Sequence, residues 1–131
     1  MNKAKDNGCT PIFAGAQRGH AGVIAMLLEN GGDVNKADNL GATPLYIAAS
    51  SGRKKAVKLL LDSGADAAPA TLRGTSPVFA ASRGGHTEII EMLLASYKGN
   101  VNEVNSRGQS PAFVAAQLGK DATLKVLCRY V

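Results

Sequence analysis

Two histidines and two cysteines are the residues of this chain best suited to catalysis or metal binding. His20 and His86 would serve as metal ligands or general bases, and a thiolate at Cys9 or Cys128 would serve as a nucleophile. Either chemistry requires these side chains to lie close together, and nucleophilic catalysis also requires an orienting carboxylate. The elements that position them therefore decide whether they form a site.

Those elements follow from a repeat in the sequence. Proline occurs at positions 11, 44, 77 and 111, always after Thr or Ser, with spacings of 33, 33 and 34 residues. Eight residues after each proline comes a glycine, and a stretch with apolar residues at i, i+3 and i+4 follows it. A fixed period of this length indicates stacked copies of one supersecondary unit rather than the core of a globular enzyme.

Each copy reads as two short helices. Thr or Ser caps the first helix and proline takes its first position, where a missing N–H costs nothing. One such helix is predicted over 44–50. The glycine that follows can adopt the left-handed conformation that ends this helix, and a second helix carries the apolar stripe. Neither helix is long enough to be stable alone, so each must pack against its partner and the neighbouring copies.

These residues resemble the ankyrin-repeat family, whose copies contain a Thr-Pro-Leu-His-x-Ala motif. The segment 41–49, Gly-Ala-Thr-Pro-Leu-Tyr-Ile-Ala-Ala, is similar to that motif, and Gly19-His20 and Gly85-His86 are similar to the family's junction between helices. The resemblance implies an all-α, ankyrin-type α-solenoid of helix-turn-helix repeats with short β-turn tips. It covers residues 1–131 as a single domain, with repeats at about 2–34, 35–67, 68–101 and 102–131.

The chain departs from the family motif in two ways that affect structure. An aromatic residue replaces the motif histidine in every copy, and we expect this aromatic column to be core rather than a platform for stacking bases; its members are Phe13, Tyr46, Phe79 and Phe113. One residue is inserted near Tyr97 and Lys98, so we expect the third inter-repeat turn to be displaced.

The repeat separates the residues that might have done chemistry. His20 and His86 occupy equivalent positions two copies apart, which places them about 20 Å from each other when packed helices lie about 8–10 Å apart. We expect each to be a helix-junction residue that bonds locally to backbone. Cys9 and Cys128 are three steps apart, too far for a disulfide, which fits a reducing compartment. We predict no catalytic residue, no metal site and no cofactor.

Composition narrows the location and the partners of the chain. The formal net charge is +5, and no run of 18 apolar residues or signal peptide is visible, so we expect a cytoplasmic or nuclear location and no membrane span. The cluster Arg53-Lys54-Lys55 is interpreted as a solvated outer helix face rather than a nucleic-acid patch or localisation signal. The chain starts inside a repeat, so we expect it to be a fragment or its incompletely capped ends to self-associate weakly.

The resemblance implies that partners bind the concave side, which turn tips and first helices form. Four arginines lie there, opposed only by Asp6, together with leucines where polar residues would be expected; arginine beside isolated apolar anchors is typical of binding hot spots. The predicted partner-binding residues are Asp6, Asn7, Gln17, Arg18, Asn39, Leu40, Ser50, Ser51, Leu72, Arg73, Arg83, Ser106, Arg107, Gln109, Gln117 and Leu118.

The sequence therefore predicts a non-enzymatic module that binds a protein partner, acidic or extended, on this surface. Three alternatives stay open. In the first, the chain is an ankyrin segment of a larger enzyme, channel or effector. In the second, it binds nucleic acid through its basic face, and we favour nucleic acid less than a protein as the partner. It would otherwise be an orphan or designed scaffold without a selected partner.

Overall fold

The computed structural model describes residues 8–96 and 101–130. Within these ranges the chain forms helices and turns without strands. The helices are α1 (Pro11–Arg18), α2 (Ala21–Glu29), α3 (Pro44–Ser50), α4 (Lys54–Asp62), α5 (Pro77–Gly84), α6 (Thr87–Ser96), α7 (Pro111–Gln117) and α8 (Asp121–Cys128). Successive pairs, α1–α2 to α7–α8, are called repeats 1 to 4 below. The all-α prediction is confirmed, and so is the helix predicted over 44–50.

The first helix of every repeat starts as the sequence predicts. The Thr43 hydroxyl accepts a hydrogen bond from the Tyr46 amide at 3.1 Å, and Pro44 opens the helix. The same cap forms at Thr10, Ser76 and Ser110. Each cap supplies a partner to a backbone N–H that has none inside its helix, and a cap of this kind stabilises a helix by about 1 kcal/mol.

A left-handed glycine ends α1 and α5 and turns the chain into the second helix. Gly19 has a φ of 74° and Gly85 a φ of 72°, and their amides donate to carbonyls of the helices that they terminate. This backbone conformation is strained for any residue with a Cβ. The next helix starts two residues later, which folds each repeat into an antiparallel helix pair.

The repeats stack in chain order. First helices contact first helices (α1 with α3, α3 with α5, α5 with α7), and second helices contact second helices in the same way. Between these two layers lies a core of small residues from the first helices and larger aliphatic residues from the second, including Ala48, Ala81, Leu60, Ile90 and Leu93, all fully buried. Every buried polar side-chain atom in the described part of the chain has a hydrogen-bond partner.

The turn tips between repeats form a hydrogen-bonded ladder. The Leu72 amide donates to the Leu40 carbonyl at 2.9 Å, and the Ser106 amide donates to the Arg73 carbonyl at the same distance. The third tip is thus in register with the second. The predicted displacement falls near Tyr97 and Lys98, which lie outside the described residues.

The aromatic column is core in part only. Phe13 and Phe79 are buried and Tyr46 is half-buried, with its hydroxyl 3.3 Å from the Thr75 hydroxyl of the next repeat. Phe113 is 50% exposed, so the prediction that it is core is wrong. The next repeat helps to cover the aromatic residue in the interior of the stack, and no repeat packs beyond repeat 4 within the described residues.

Candidate functional site

The turn tips beside the candidate site are held by hydrogen bonds between side chains and their own backbones. In the third tip, Asn105 Oδ1 accepts from the amides of Arg107 at 2.9 Å and Gln109 at 3.0 Å, and Asn105 Nδ2 donates to Gln109 Oε1 at 3.0 Å. Asp38 does the same in the first described tip, where its carboxylate accepts from the amides of Leu40 and Ala42. These bonds fix the position from which the tip side chains project.

The second tip lacks an Asp or Asn at this position and uses threonine instead. The Thr71 and Thr75 hydroxyls lie 2.6 Å apart, and the Thr71 amide donates to the Thr75 carbonyl at 2.9 Å. Thr71 therefore closes the turn with a hydroxyl where the neighbouring tips use a carboxylate or an amide. The side chains of Leu72 and Arg73 project from this tip and are exposed.

Between repeats 3 and 4 the tips and first helices enclose a groove of about 280 Å³, named the arginine groove here. Arg73 comes from the second tip, Arg83 from the last turn of α5 and Arg107 from the third tip. The full lining is Arg73, Thr75, Phe79, Arg83, Asn105, Ser106, Arg107, Gln109, Val114, Gln117 and Leu118. It includes no carboxylate.

No described residue forms an ion pair with the arginines of the arginine groove. In the part of the chain that the structure describes, the ion pairs are Lys54 with Glu88 and Lys58 with Asp62, all on second helices. The three groove arginines are exposed and form no ion pair with a described residue. Their guanidinium groups thus present hydrogen-bond donors to whatever enters the groove.

Apolar residues also line the groove. The Leu118 side chain is 49% exposed, whereas Phe79 and Val114 are buried beneath the surface. Gln109 and Gln117 add amide groups that can both donate and accept hydrogen bonds. The groove therefore combines positive charge with apolar and amide surface.

Seven of the predicted binding residues line the arginine groove, and the other described ones lie outside it. The groove contains Arg73, Arg83, Ser106, Arg107, Gln109, Gln117 and Leu118. Outside it, on the same tips and first helices of repeats 1 to 3, lie Gln17, Arg18, Asn39, Leu40, Ser50, Ser51 and Leu72, which are exposed or half-buried. Asp6 and Asn7 lie outside the described residues.

Sequence reasoning missed Asn105, Phe79 and Val114 as members of this site. Asn105 stands where Asp38 stands in the earlier tip, so the repeat register could have identified it as the residue that holds the turn. Phe79 and Val114 carry no such signal, because an apolar residue in a first helix is usually interpreted as core. Only the packing of α5 against α7 shows that they underlie a surface groove.

Both histidines lie at the junctions between the helices of a repeat, and His86 packs against the preceding repeat. His86 lies at the junction before α6, and a Cβ built on Gly52 of the preceding repeat would come within 2.6 Å of the imidazole Cε1. His20 stands at the equivalent junction before α2, but its side chain forms no capping bond with that helix. Both histidines stand at the predicted junctions, and the local backbone bonding stays a prediction.

No group of three or more His, Cys, Asp or Glu side chains within the described ranges has an arrangement that could hold a metal ion. The described cysteines lie in different repeats: Cys9 is half-buried before α1, and Cys128 is exposed at the end of α8. None of the described helices is both long and apolar enough to cross a membrane.

The fold and the stacked tips define a helical repeat protein. A family model described as ankyrin repeats (3 copies) matches residues 1–71 and 67–130. The chain belongs to the ankyrin-repeat family. Ankyrin repeats are generally protein–protein interaction modules. No curated protein matched the chain.

Proposed function

We propose that this chain is a non-enzymatic module that binds a protein partner on its tip surface, defined as the turn tips together with α1, α3, α5 and α7. The single observation that supports the proposal most strongly is the arginine groove, which has three exposed guanidinium groups and no carboxylate. A partner with acidic side chains would complement this charge, and an extended segment would fit a groove that crosses from one repeat to the next.

A charge-reversal pair tests the proposal. The double variant Arg73→Glu/Arg107→Glu changes the groove, and the double variant Lys55→Glu/Lys125→Glu makes the same change of charge on exposed positions of α4 and α8. Each tagged protein captures partners from a cell lysate, and mass spectrometry identifies them. We expect the wild type and the lysine variant to retain the same partner, and the arginine variant to lose it by tenfold or more, about 1.4 kcal/mol.

Circular dichroism melts provide the control for folding, because all four substitutions lie at exposed positions. The melting temperatures of the two double variants should agree with that of the wild type. Retention of the same partner by the arginine variant at wild-type strength would contradict the proposed surface.

Nucleic acid is the second candidate partner, since the formal charge of +5 and the same guanidinium groups would also attract phosphates. Proteins that bind single strands usually add exposed aromatic rings on which bases stack. The aromatic residue that lines the groove, Phe79, is 3% exposed and gives no such platform. A lack of retention on a nucleic-acid column at low salt would dispose of this candidate.

A further inference from the structure

An exposed pair of leucines adjoins the arginine groove, and it is the starting point of an inference that depends on the proposed function. Leu40 is 68% exposed and Leu72 is 76% exposed, although each belongs to a turn held by hydrogen bonds. The Leu72 amide donates to the Leu40 carbonyl at 2.9 Å, so the two residues are neighbours across the boundary between repeats 2 and 3. Leu40 and Leu72 together are called the leucine pair below.

The ladder of tips places the leucine pair directly next to the arginine groove. Arg73 follows Leu72 in the same tip, and its carbonyl accepts from the Ser106 amide of the next tip at 2.9 Å. Along the stack the exposed side chains therefore change from apolar at the boundary of repeats 2 and 3 to cationic at the boundary of repeats 3 and 4. Their order is set by backbone hydrogen bonds and does not depend on the rotamers of the long side chains.

The separation between these two surfaces sets a spacing for the ligand. Neighbouring repeats are related by the packing distance of their helices, about 8–10 Å. An extended chain advances about 3.3–3.6 Å per residue, so about three residues span one repeat step. A segment that lies along the tips would contact the leucine pair and the arginine groove with residues about three positions apart.

We propose that the tip surface of repeats 2 to 4 binds an extended acidic segment in which apolar side chains precede or follow a run of carboxylates by about three residues. The leucine pair buries the apolar side chains, and Arg73, Arg83 and Arg107 bind the carboxylates. Leu118 contacts an aliphatic part of the acidic run, and the amides of Gln109 and Gln117 hydrogen-bond to the backbone of the bound segment.

Charge and exposure favour this occupant over a neutral apolar one. A purely apolar ligand would bury three guanidinium groups without partners, which is costly because charged groups lose their hydration. A purely acidic ligand would leave the leucine pair exposed. The combined pattern satisfies both surfaces, and it gives specificity because a ligand with the wrong spacing can occupy only one of them.

Labelled synthetic peptides test the inference with the full chain. The probe carries a leucine pair, a Ser-Gly-Ser spacer and a run of glutamates, with fluorescein at one end. One control peptide replaces its leucines with serine, and a second replaces its glutamates with glutamine. Fluorescence polarisation should show the probe binding roughly tenfold more tightly than each control, the effect of one hot-spot contact.

Protein variants then assign each peptide contact to its surface. Leu72→Ser should weaken the probe about tenfold and leave the serine peptide unchanged, because that peptide already lacks the apolar contact. Arg73→Gln should weaken the probe to a similar extent and leave the glutamine peptide unchanged. Lys55→Gln, on α4, serves as the matched control and should leave the affinity for every peptide unchanged.

The outcomes separate this inference from the proposed function. If the lysate partner depends on Arg73 and Arg107 while the probe binds no better than its controls, the inference is overturned and the proposed function stands. If neither the lysate partner nor the probe depends on these arginines, both fail. Displacement of the probe by a single-stranded oligonucleotide that binds more tightly would also overturn the inference.

Discussion

The residue that follows the left-handed glycine of each repeat is basic, and in repeats 2 to 4 it contacts the preceding repeat. Arg53 packs on Gly19, His86 on Gly52 and Lys120 on Gly85, and Arg53 Nε donates to the Gln17 carbonyl at 3.2 Å. The contacts of Arg53 and Lys120 place positive charge near the C-terminal ends of α1 and α5, where the helix dipole favours it. The contacts with the preceding repeat account for His86 and the basic residues at 53 and 120 as parts of the inter-repeat contact.

Alanine substitutions at two equivalent glycines can distinguish the free-energy cost of backbone strain from the cost of a collision between repeats. Gly52 and Gly119 have φ angles of 72° and 69°, so alanine at either position is strained by about 1–2 kcal/mol. At Gly52 the new Cβ would also collide with the His86 ring, whereas at Gly119 no described atom beyond its chain neighbours lies within 4 Å of it. We expect Gly52→Ala to lower the free energy of unfolding by about 1 kcal/mol more than Gly119→Ala, as measured by urea denaturation.

The double variant Gly52→Ala/His86→Ala controls for the collision. Without the ring, alanine at position 52 should lower the free energy of unfolding only as much as alanine at position 119 does. Equal costs for the two single variants would show that the His86 ring moves aside freely. The contact between repeats would then contribute nothing to the role of the glycine.

At the scale of single helices, α1 contains a glycine where every other first helix has alanine. Gly15 is buried against α2, and the equivalent residues Ala48, Ala81 and Ala115 are fully buried. A Cβ at Gly15 would lie 3.2 Å from Ile24 Cγ1, closer than an ordinary contact. The pair Ala81 and Ile90 in repeat 3 shows that this fold accommodates alanine beside isoleucine.

We therefore expect Gly15→Ala to stabilise the protein, by less than the full helix-propensity difference of about 1 kcal/mol, because part of the gain is lost to crowding at Ile24. Thermal and urea unfolding measure the change. Adding Ile24→Val to Gly15→Ala should relieve the crowding, so the alanine substitution should gain more stability in the valine background. A decrease in stability in both backgrounds would contradict the expectation.

At the scale of the whole molecule, both ends of the stack leave apolar surface uncovered. Val23 is 43% exposed in α2, although the equivalent Ala56 and Ile89 of repeats 2 and 3 are buried. At the other end Phe113 is half exposed, and no described atom lies within 4 Å of a Cβ built on Gly108 or Gly119. Each end therefore presents one side of the interface that joins repeats in the interior of the stack.

We expect the isolated chain to self-associate weakly through these ends, because the two faces have the complementary shapes of an interior repeat boundary. Sedimentation velocity over a range of concentrations measures this association. Phe113→Gln should weaken it by about tenfold, while the exposed Lys125→Gln on α8 should leave it unchanged. A sample that stays strictly monomeric at high concentration would contradict the prediction.

The helices, their caps and their order could be read from the sequence because each depends on residues close together in the chain. Thr43 caps a helix whose amide is three residues away, and the glycine eight residues after each proline acts on the helix immediately before it. The stack also follows from the period of about 33 residues, since helices this short must bury their apolar stripes against neighbouring copies. Because the same caps and glycines recur in every copy, they predict the same pair of helices in every repeat.

Only the tertiary structure decided which predicted surface residues come together. Arg73, Arg83 and Arg107 meet in one groove while Arg18 stays apart, because the groove lies between repeats 3 and 4 and depends on how α5 packs against α7. The same reason explains why Phe79 is buried and Phe113 is half exposed. The two residues occupy equivalent positions of the repeat, but only Phe79 lies in an interior repeat. Burial depends on what lies across the repeat boundary, and that neighbour belongs to a different part of the chain.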